Sequence, residues 1–155
     1  PPAPPPHPPP FFFPAEDGIR SLVRSRGRGA GYKRQVEKLM KEVKWGIIAA
    51  GSIANAFAHS IKYSENATLS CVLGRNEEKV NSFAEKHNCQ PYLDLESFLD
   101  SGIEAVYVAP PHDSHFHYSM EAINRKLHVL CEKPLSVNST EAMILINEAK
   151  KMTFS

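Results

Sequence analysis

Between Lys44 and Ala54 the chain runs Lys-Trp-Gly-Ile-Ile-Ala-Ala-Gly-Ser-Ile-Ala, and this stretch restricts the fold more than any other. Trp45 to Ala50 is a short apolar run that reads as a buried strand. Gly51 follows it, and then Ile53, Phe57 and Ile61 recur every four residues, the period of a helix face. A strand that turns through a glycine straight into a helix leaves unpaired backbone N–H groups at the helix start, where a phosphate can sit. The pattern G-x-G-x-x-G/A falls on Ala49 to Ala54. Gly51 holds the second glycine position, where a pyrophosphate approaches the backbone, with Ala50, Ser52 and Ile53 beside it. Ala54 satisfies the third position. Ala49 replaces the first glycine, so the turn has to tolerate a Cβ. Alone, such a motif fits a plain strand-to-helix connection as well as it fits dinucleotide binding.

The remainder of the chain decides between these. Ala67–Leu73 reads as a second strand, and Glu77–His87 as a helix with Val80, Phe83 and Ala84 on one face. Asn76 precedes that helix as an N-cap, with acidic residues in the first turn. Gln90–Tyr92 is a short strand, and Asp94 caps a short helix through Leu99. Glu104–Val108 is the next central strand, residues 112–125 a helix with Tyr118, Ala122 and Ile123 inward, and Leu127–Cys131 a further buried strand. Ser139–Lys151 is the last helix, begun by Asn138 or Ser139. Strand and helix in alternation predict the α/β class: a Rossmann-type, doubly wound parallel sheet with helices on both faces.

In that architecture an acidic residue about 20 positions beyond the glycine turn accepts hydrogen bonds from the ribose hydroxyls of NAD. Here the tip of the second strand is Leu73-Gly74-Arg75-Asn76, without Asp or Glu. Arg75 and, one helical turn on, Lys79 suit the 2′-phosphate of NADP. Otherwise they are ordinary solvated charges at a helix start.

The first forty residues hold seven Lys/Arg against three Asp/Glu, leaving 11 basic and 14 acidic residues in the rest. The mildly acidic remainder carries no basic stripe, which argues against nucleic acid as its partner. Cys71, Cys89 and Cys131 are odd in number, widely spaced and without C-x-x-C. This fits buried thiols in a reducing, cytoplasmic setting better than disulfides, and no metal site is expected. No apolar run approaches the roughly 18 to 20 residues that cross a bilayer. Nine prolines lie in the first fourteen residues, eight of them before Phe11-Phe12-Phe13, and Gly18–Gln35 is rich in Arg and Gly. These segments read as a polyproline ligand, a flexible basic arm or an Arg-rich transit peptide. A duller reading fits better. Ala15–Arg20, Arg24–Gly27 and Tyr32–Gln35 resemble the conceptual translation of sequencing-library adapters. Residues 1–39 are accordingly set apart as a disordered arm foreign to the natural protein, and residues 40–155 as the dinucleotide-binding domain, with Met40 the expected true start.

Two further strand ends point at the same crevice as Gly51, because ligands of open α/β sheets bind beyond the carboxyl ends of the strands. One is Tyr107-Val108-Ala109-Pro110-Pro111-His112-Asp113-Ser114-His115. The other is His128-Val129-Leu130-Cys131-Glu132-Lys133-Pro134. With Trp45–Ala54 they resemble the N-terminal domain of the glucose-fructose oxidoreductase/inositol dehydrogenase (Gfo/Idh/MocA) family over about Val43 to Lys151. Glu132-Lys133-Pro134 matches that family's signature, and His115 matches the histidine after its Ala-Thr-Pro strand end. Glu85-Lys86-His87, Tyr92 and Val137-Asn138 add a likeness to its dihydrodiol dehydrogenase branch. Ala49 and Pro110 depart from the pattern. Pro110 lacks the hydroxyl and N–H that a threonine would turn toward the cofactor.

The resemblance implies an oxidoreductase using NADP or NAD on a diol or sugar hydroxyl. Lys133 would be catalytic, its ammonium stabilising the alkoxide that develops as hydride moves. Glu132 would position it, and Pro134 would fix the turn, with a cis bond as one option. Ala109 and Pro110 would line the cofactor, and His112 and His115 would either line the nicotinamide side or cap the helix. The resemblance also implies a second α/β domain beyond this one, carrying the substrate pocket, the acid/base residue and the surface of a homo-oligomer. The fold is therefore expected to be truncated before it, and the fragment to be inactive alone. Two other readings remain: a non-catalytic dinucleotide-sensing module of the same fold, and a polyproline and basic-arm interaction protein.

Overall fold

The computed structural model describes residues 42–153, so the readings of the proline-rich and basic segments lie outside the described residues. Five strands form one parallel sheet: β1 (Val43–Ile48), β2 (Ala67–Leu73), β3 (Gln90–Tyr92), β4 (Ala105–Val108) and β5 (His128–Cys131), in the order β3-β2-β1-β4-β5. The connecting helices are α1 (Ser52–Ile61), α2 (Glu77–His87), α3 (Leu95–Leu99) and α4 (His115–Asn124), the last entered through a 3₁₀ turn at His112–Ser114. Helix α5 (Ser139–Thr153) follows β5. The sheet is doubly wound, as the alternation of elements predicts.

Burial follows the two-residue period of each strand. Ile47, Val72 and Tyr107 face one layer, where Ala54, Ala58 and Ile61 of α1 pack beside Val80, Phe83 and Ala84 of α2. Ile48, Cys71, Leu73, Val106 and Val108 face the other, with Phe98 and Leu99 of α3 and Ala122 of α4. β1, β2 and β4, covered on both faces, read as near-continuous apolar runs, which is why they are visible in the sequence. Gly46 makes room for the second layer. A Cβ there would lie 2.6 Å from Phe98 Cζ and 2.8 Å from Ile103 Cδ1.

Three helix starts are set by side chains. Asn76 Oδ1 accepts from Lys79 N at 2.9 Å, Asp94 Oδ2 from Ser97 N at 2.9 Å, and Asn138 Oδ1 from Glu141 N at 2.9 Å. Asn138, rather than Ser139, is thus the cap of α5.

Three expectations change. Strand β1 ends at Ile48, because Ala49 turns to φ +88° and leaves the sheet direction. Ile53 does not face the core. It is 47% exposed, and Ala54, Ala58 and Ile61 form the inward row with Phe57 at its margin. Their small side chains let α1 lie close to the sheet. Strand β5 is not fully buried, since it lies at the sheet edge with Leu130 46% exposed. Of the three thiols, Cys71 is buried, Cys89 and Cys131 are half-buried, and all are free. Burial pushes Cys71 and Cys89 each up to about 11. None of the described helices is long and apolar enough to cross a membrane.

Candidate functional site

The strand register brings four loops to one level. Ile48 pairs with Leu73 and with Val108, and Val108 pairs with Cys131. The ladder continues one residue further on each side of β1: Ala49 N donates to Leu73 O at 2.8 Å, Ala109 N to Ile48 O at 3.1 Å, and Glu132 N to Val108 O at 2.9 Å. The loops that begin at Ala49, Gly74, Ala109 and Glu132 therefore leave from the same edge of the sheet.

A cleft of about 290 Å³ opens there, lined by Ala50, Gly51, Gly74, Arg75, Asn76 and Lys79 on one side and Pro110, Pro111, Ser114 and Tyr118 on the other. Gly51 is the N-cap of α1, in extended backbone, and no side chain caps that helix. An added Cβ at Gly51 would meet no atom within 4 Å. The glycine is thus not required by its own surroundings; it leaves open space in front of the uncapped N–H groups of α1. That is the shape of a phosphate cradle at a helix start. Asn55 steadies the turn, its Nδ2 donating to Gly51 O at 3.0 Å while its Oδ1 accepts from Lys86 Nζ at 3.1 Å and pairs with His87 Nε2 at 2.8 Å. Arg75 and Lys79 are exposed at the cleft mouth, and among the described residues neither is held in an ion pair.

Of the residues expected here, Ala50, Gly51, Arg75, Lys79 and Pro110 line the cleft together. Ser52 and Ile53 are exposed at the start of α1, and Ala109 packs against the α1 layer. His112 is exposed on the 3₁₀ turn. Lys133 is exposed at the tip of β5, its neighbour Glu132 partly buried, and the Lys133–Pro134 peptide is cis.

His115 is placed differently from either expectation. It is wholly buried, so it does not line the crevice, and it makes no side-chain cap. Its Nδ1 lies 2.7 Å from Pro134 O and its Nε2 2.8 Å from Pro110 O. The reason is its position on the first turn of α4, which points it under both strand-end loops.

Sequence reading missed Tyr107. Its hydroxyl donates to Glu132 Oε1, and its ring stacks on Phe57 at 4.1 Å. Burial, with the carboxylate beside it, pushes the phenol well above its ordinary range. The Tyr107 hydroxyl in turn holds Glu132 below the usual carboxylate range, helped by the Lys133 N–H and ammonium. The signal available was a tyrosine amid the aliphatic run of β4, which needs a partner for its hydroxyl when buried. Tyr118, Asn76 and Ser114 also escaped notice as cleft residues, because no motif covers them.

This geometry, a phosphate cradle at the first strand-to-helix turn of a doubly wound parallel sheet, defines a dinucleotide-binding domain. The comparisons agree. The profile of the Gfo/Idh/MocA family, described as an oxidoreductase family with an NAD-binding Rossmann fold, matches residues 43–154, and the chain belongs to that family. Oxidoreductase P35 of Formosa agariphila is 38% identical over 112 residues, covering 70% of this chain and 35% of the relative. The trans-1,2-dihydrobenzene-1,2-diol dehydrogenase of Xenopus tropicalis is 33% identical over 112 residues, covering 70% and 34%. Among solved structures, UDP-N-acetylglucosamine 3-dehydrogenase GnnA from Acidithiobacillus ferrooxidans matches with a TM-score of 0.67 at 26% identity, over 74% of this chain and 37% of that one. The chain spans about a third of the length of the curated relatives it matches.

Proposed function

We propose that residues 40–155 form the NADP-binding half of a dehydrogenase that moves hydride between the cofactor and a diol or sugar hydroxyl. The observation that carries the reading is the open cradle at Gly51 continuous with Arg75 and Lys79 at the tip of β2. The residues fit the group. Backbone N–H groups of Ser52 and Ile53 at the start of α1 would take the pyrophosphate, with Ala50 and Gly51 giving close approach. Arg75 would pair with the 2′-phosphate in a bidentate way and Lys79 would add a point charge. Ala109, Pro110 and His112 would border the nicotinamide half, and Glu132 and Lys133 would close its far end. When bound, the nicotinamide supplies the hydride acceptor or donor. Lys133, exposed at the tip of β5, would donate to the reacting oxygen and stabilise negative charge as it develops there. Glu132 would keep the Lys133 turn in place.

This reading places the wall enclosing substrate, the proton-transfer residue and the subunit interface outside residues 40–155, since the chain spans about a third of its relatives' length. The 155-residue chain is expected to bind dinucleotide without turning it over, and the whole protein to act in the cytoplasm as a homo-oligomer.

Cofactor choice is tested by titrating the chain with NADPH and NADH, following energy transfer from Trp45. Wild type is expected to bind NADPH at least tenfold more tightly, about 1.4 kcal/mol, with Arg75→Ala erasing most of the difference. Equal affinities in wild type would overturn the NADP assignment and leave a domain that accepts either cofactor.

A further inference from the structure

We propose that Tyr107 and His115 are positioning residues that clamp the Glu132–Pro134 turn from opposite layers of the sheet and so fix where Lys133 stands. The assignment rests on Lys133 being the residue that meets substrate. Three observations carry it.

First, the two contacts fall on the residues that flank Lys133 on either side. Tyr107 reaches Glu132 through its hydroxyl, and His115 reaches the Pro134 carbonyl at 2.7 Å. Lys133 between them gives its backbone N–H to Glu132 Oε2 at 3.3 Å. Second, the clamping side chains come from different elements: β4, and α4, whose Ala122 packs in the opposite layer. Tyr107 lies on β4 in the layer of α1 and α2, stacked on Phe57, which in turn meets Trp45 at 5.4 Å. His115 lies on α4, buried completely. Neither can follow a movement of the turn without disturbing packing. Third, among the described residues β5 is bonded to the sheet on one side only, through β4, and is exposed at alternate residues. The contacts from Tyr107 and His115 add anchors from the interior to that one-sided pairing.

The two anchors are not equivalent. Carbonyl oxygens only accept, so each contact of His115 needs a ring N–H, of which the neutral imidazole has one and the imidazolium two. Its Nε2 also reaches Pro110 O at 2.8 Å, which ties the β5 turn to the loop after β4 that lines the cleft. Tyr107 carries one donor and holds a carboxylate, the stronger type of bond. Burial keeps that phenol protonated, and the bonded carboxylate stays ionised, so donor and acceptor keep their roles.

The test uses the full chain and reads backbone amide exchange at residues 131–136 together with ligand affinity. Tyr107→Phe keeps the stack on Phe57 and removes only the hydroxyl. It is expected to speed exchange at Glu132 and Lys133 about tenfold, while amides of β1 and α1 stay as protected as in wild type. His115→Asn retains a donor where Nδ1 sits, and His115→Gln retains one where Nε2 sits. The asparagine variant is expected to keep the turn protected and the glutamine variant to release it, a pattern that loss of general stability would not produce. NADPH should weaken several-fold in Tyr107→Phe, and its analogue lacking nicotinamide should not. Exchange at 131–136 unchanged in both Tyr107→Phe and His115→Gln would overturn the clamp. If the exchange pattern holds while Lys133→Ala binds NADPH as wild type does, the clamp stands and the role given to Lys133 falls.

Discussion

Ala49 holds a position that glycine normally takes, and the backbone shows the cost. At φ +88° the residue sits where a Cβ is disfavoured, yet its N–H is committed to Leu73 O at 2.8 Å, so the turn cannot relax. A left-handed conformation costs an L-residue about 1–2 kcal/mol, and a glycine loses about 0.4–1 kcal/mol through the freer unfolded chain. Ala49→Gly is therefore expected to stabilise the domain by roughly 0.5–1 kcal/mol, read from the midpoint of urea unfolding at unchanged slope. A lower midpoint would mean that the Cβ of Ala49 contributes packing that outweighs its backbone. The absent first glycine left the turn recognisable because Gly51 and Ala54 alone preserve its spacing. His115 shows the opposite case. Its bond to the Pro134 carbonyl, 19 residues on, could not be read from spacing, since it depends on how β4 and β5 register.

Elements were legible where apolar period and capping residue agreed, as for α2 between Asn76 and His87. The edge position of β5 was not legible. Its apolar run matches that of a central strand, and only the strand order exposes one side. Gly46 and Phe98 show how tightly elements meet in the second layer. With Phe98 Cζ 2.6 Å from the place of a Cβ, Gly46→Ala is expected to cost about 1–3 kcal/mol, measured by thermal unfolding. On the other face, α1 and α2 are joined by a polar contact, His87 Nε2 to Asn55 Oδ1. His87 Nδ1 is buried without a partner. Burial first, then Lys62, Lys86 and His59, lowers the His87 pKa, so the folded domain holds this ring neutral with its proton on Nε2. The unfolded chain takes up that proton more readily as pH falls. Stability from this residue is therefore complete above the ordinary histidine pKa of about 6.5 and declines below it toward the lowered folded value. Unfolding free energies measured from pH 5 to 8 should fall on the acid side in wild type and fall less in His87→Gln. Parallel curves would show that His87 is not the group responsible.

At the scale of the whole domain, the described residues form a parallel sheet whose strand ends lead into the cleft at Gly51, and the purpose of Gly51 is the central claim. The fold was readable because five apolar runs, each followed by a helix pattern, admit few arrangements. The site was readable only in its backbone features and its Glu-Lys-Pro signature. Side chains such as Tyr107 and Tyr118 acquire roles through packing, which no local pattern encodes. Gly51 separates fold from function cleanly, since a Cβ there meets nothing within 4 Å. The decisive measurement is the dissociation constant of NADPH for wild type and for Gly51→Ala, with urea unfolding of both as the control. The cradle reading predicts stability within about 0.5 kcal/mol of wild type and affinity lowered at least tenfold, because the methyl group occupies the space a pyrophosphate needs. Equal affinity in two equally stable proteins would contradict it, and the Gly51 turn would then be a plain connection between strand and helix.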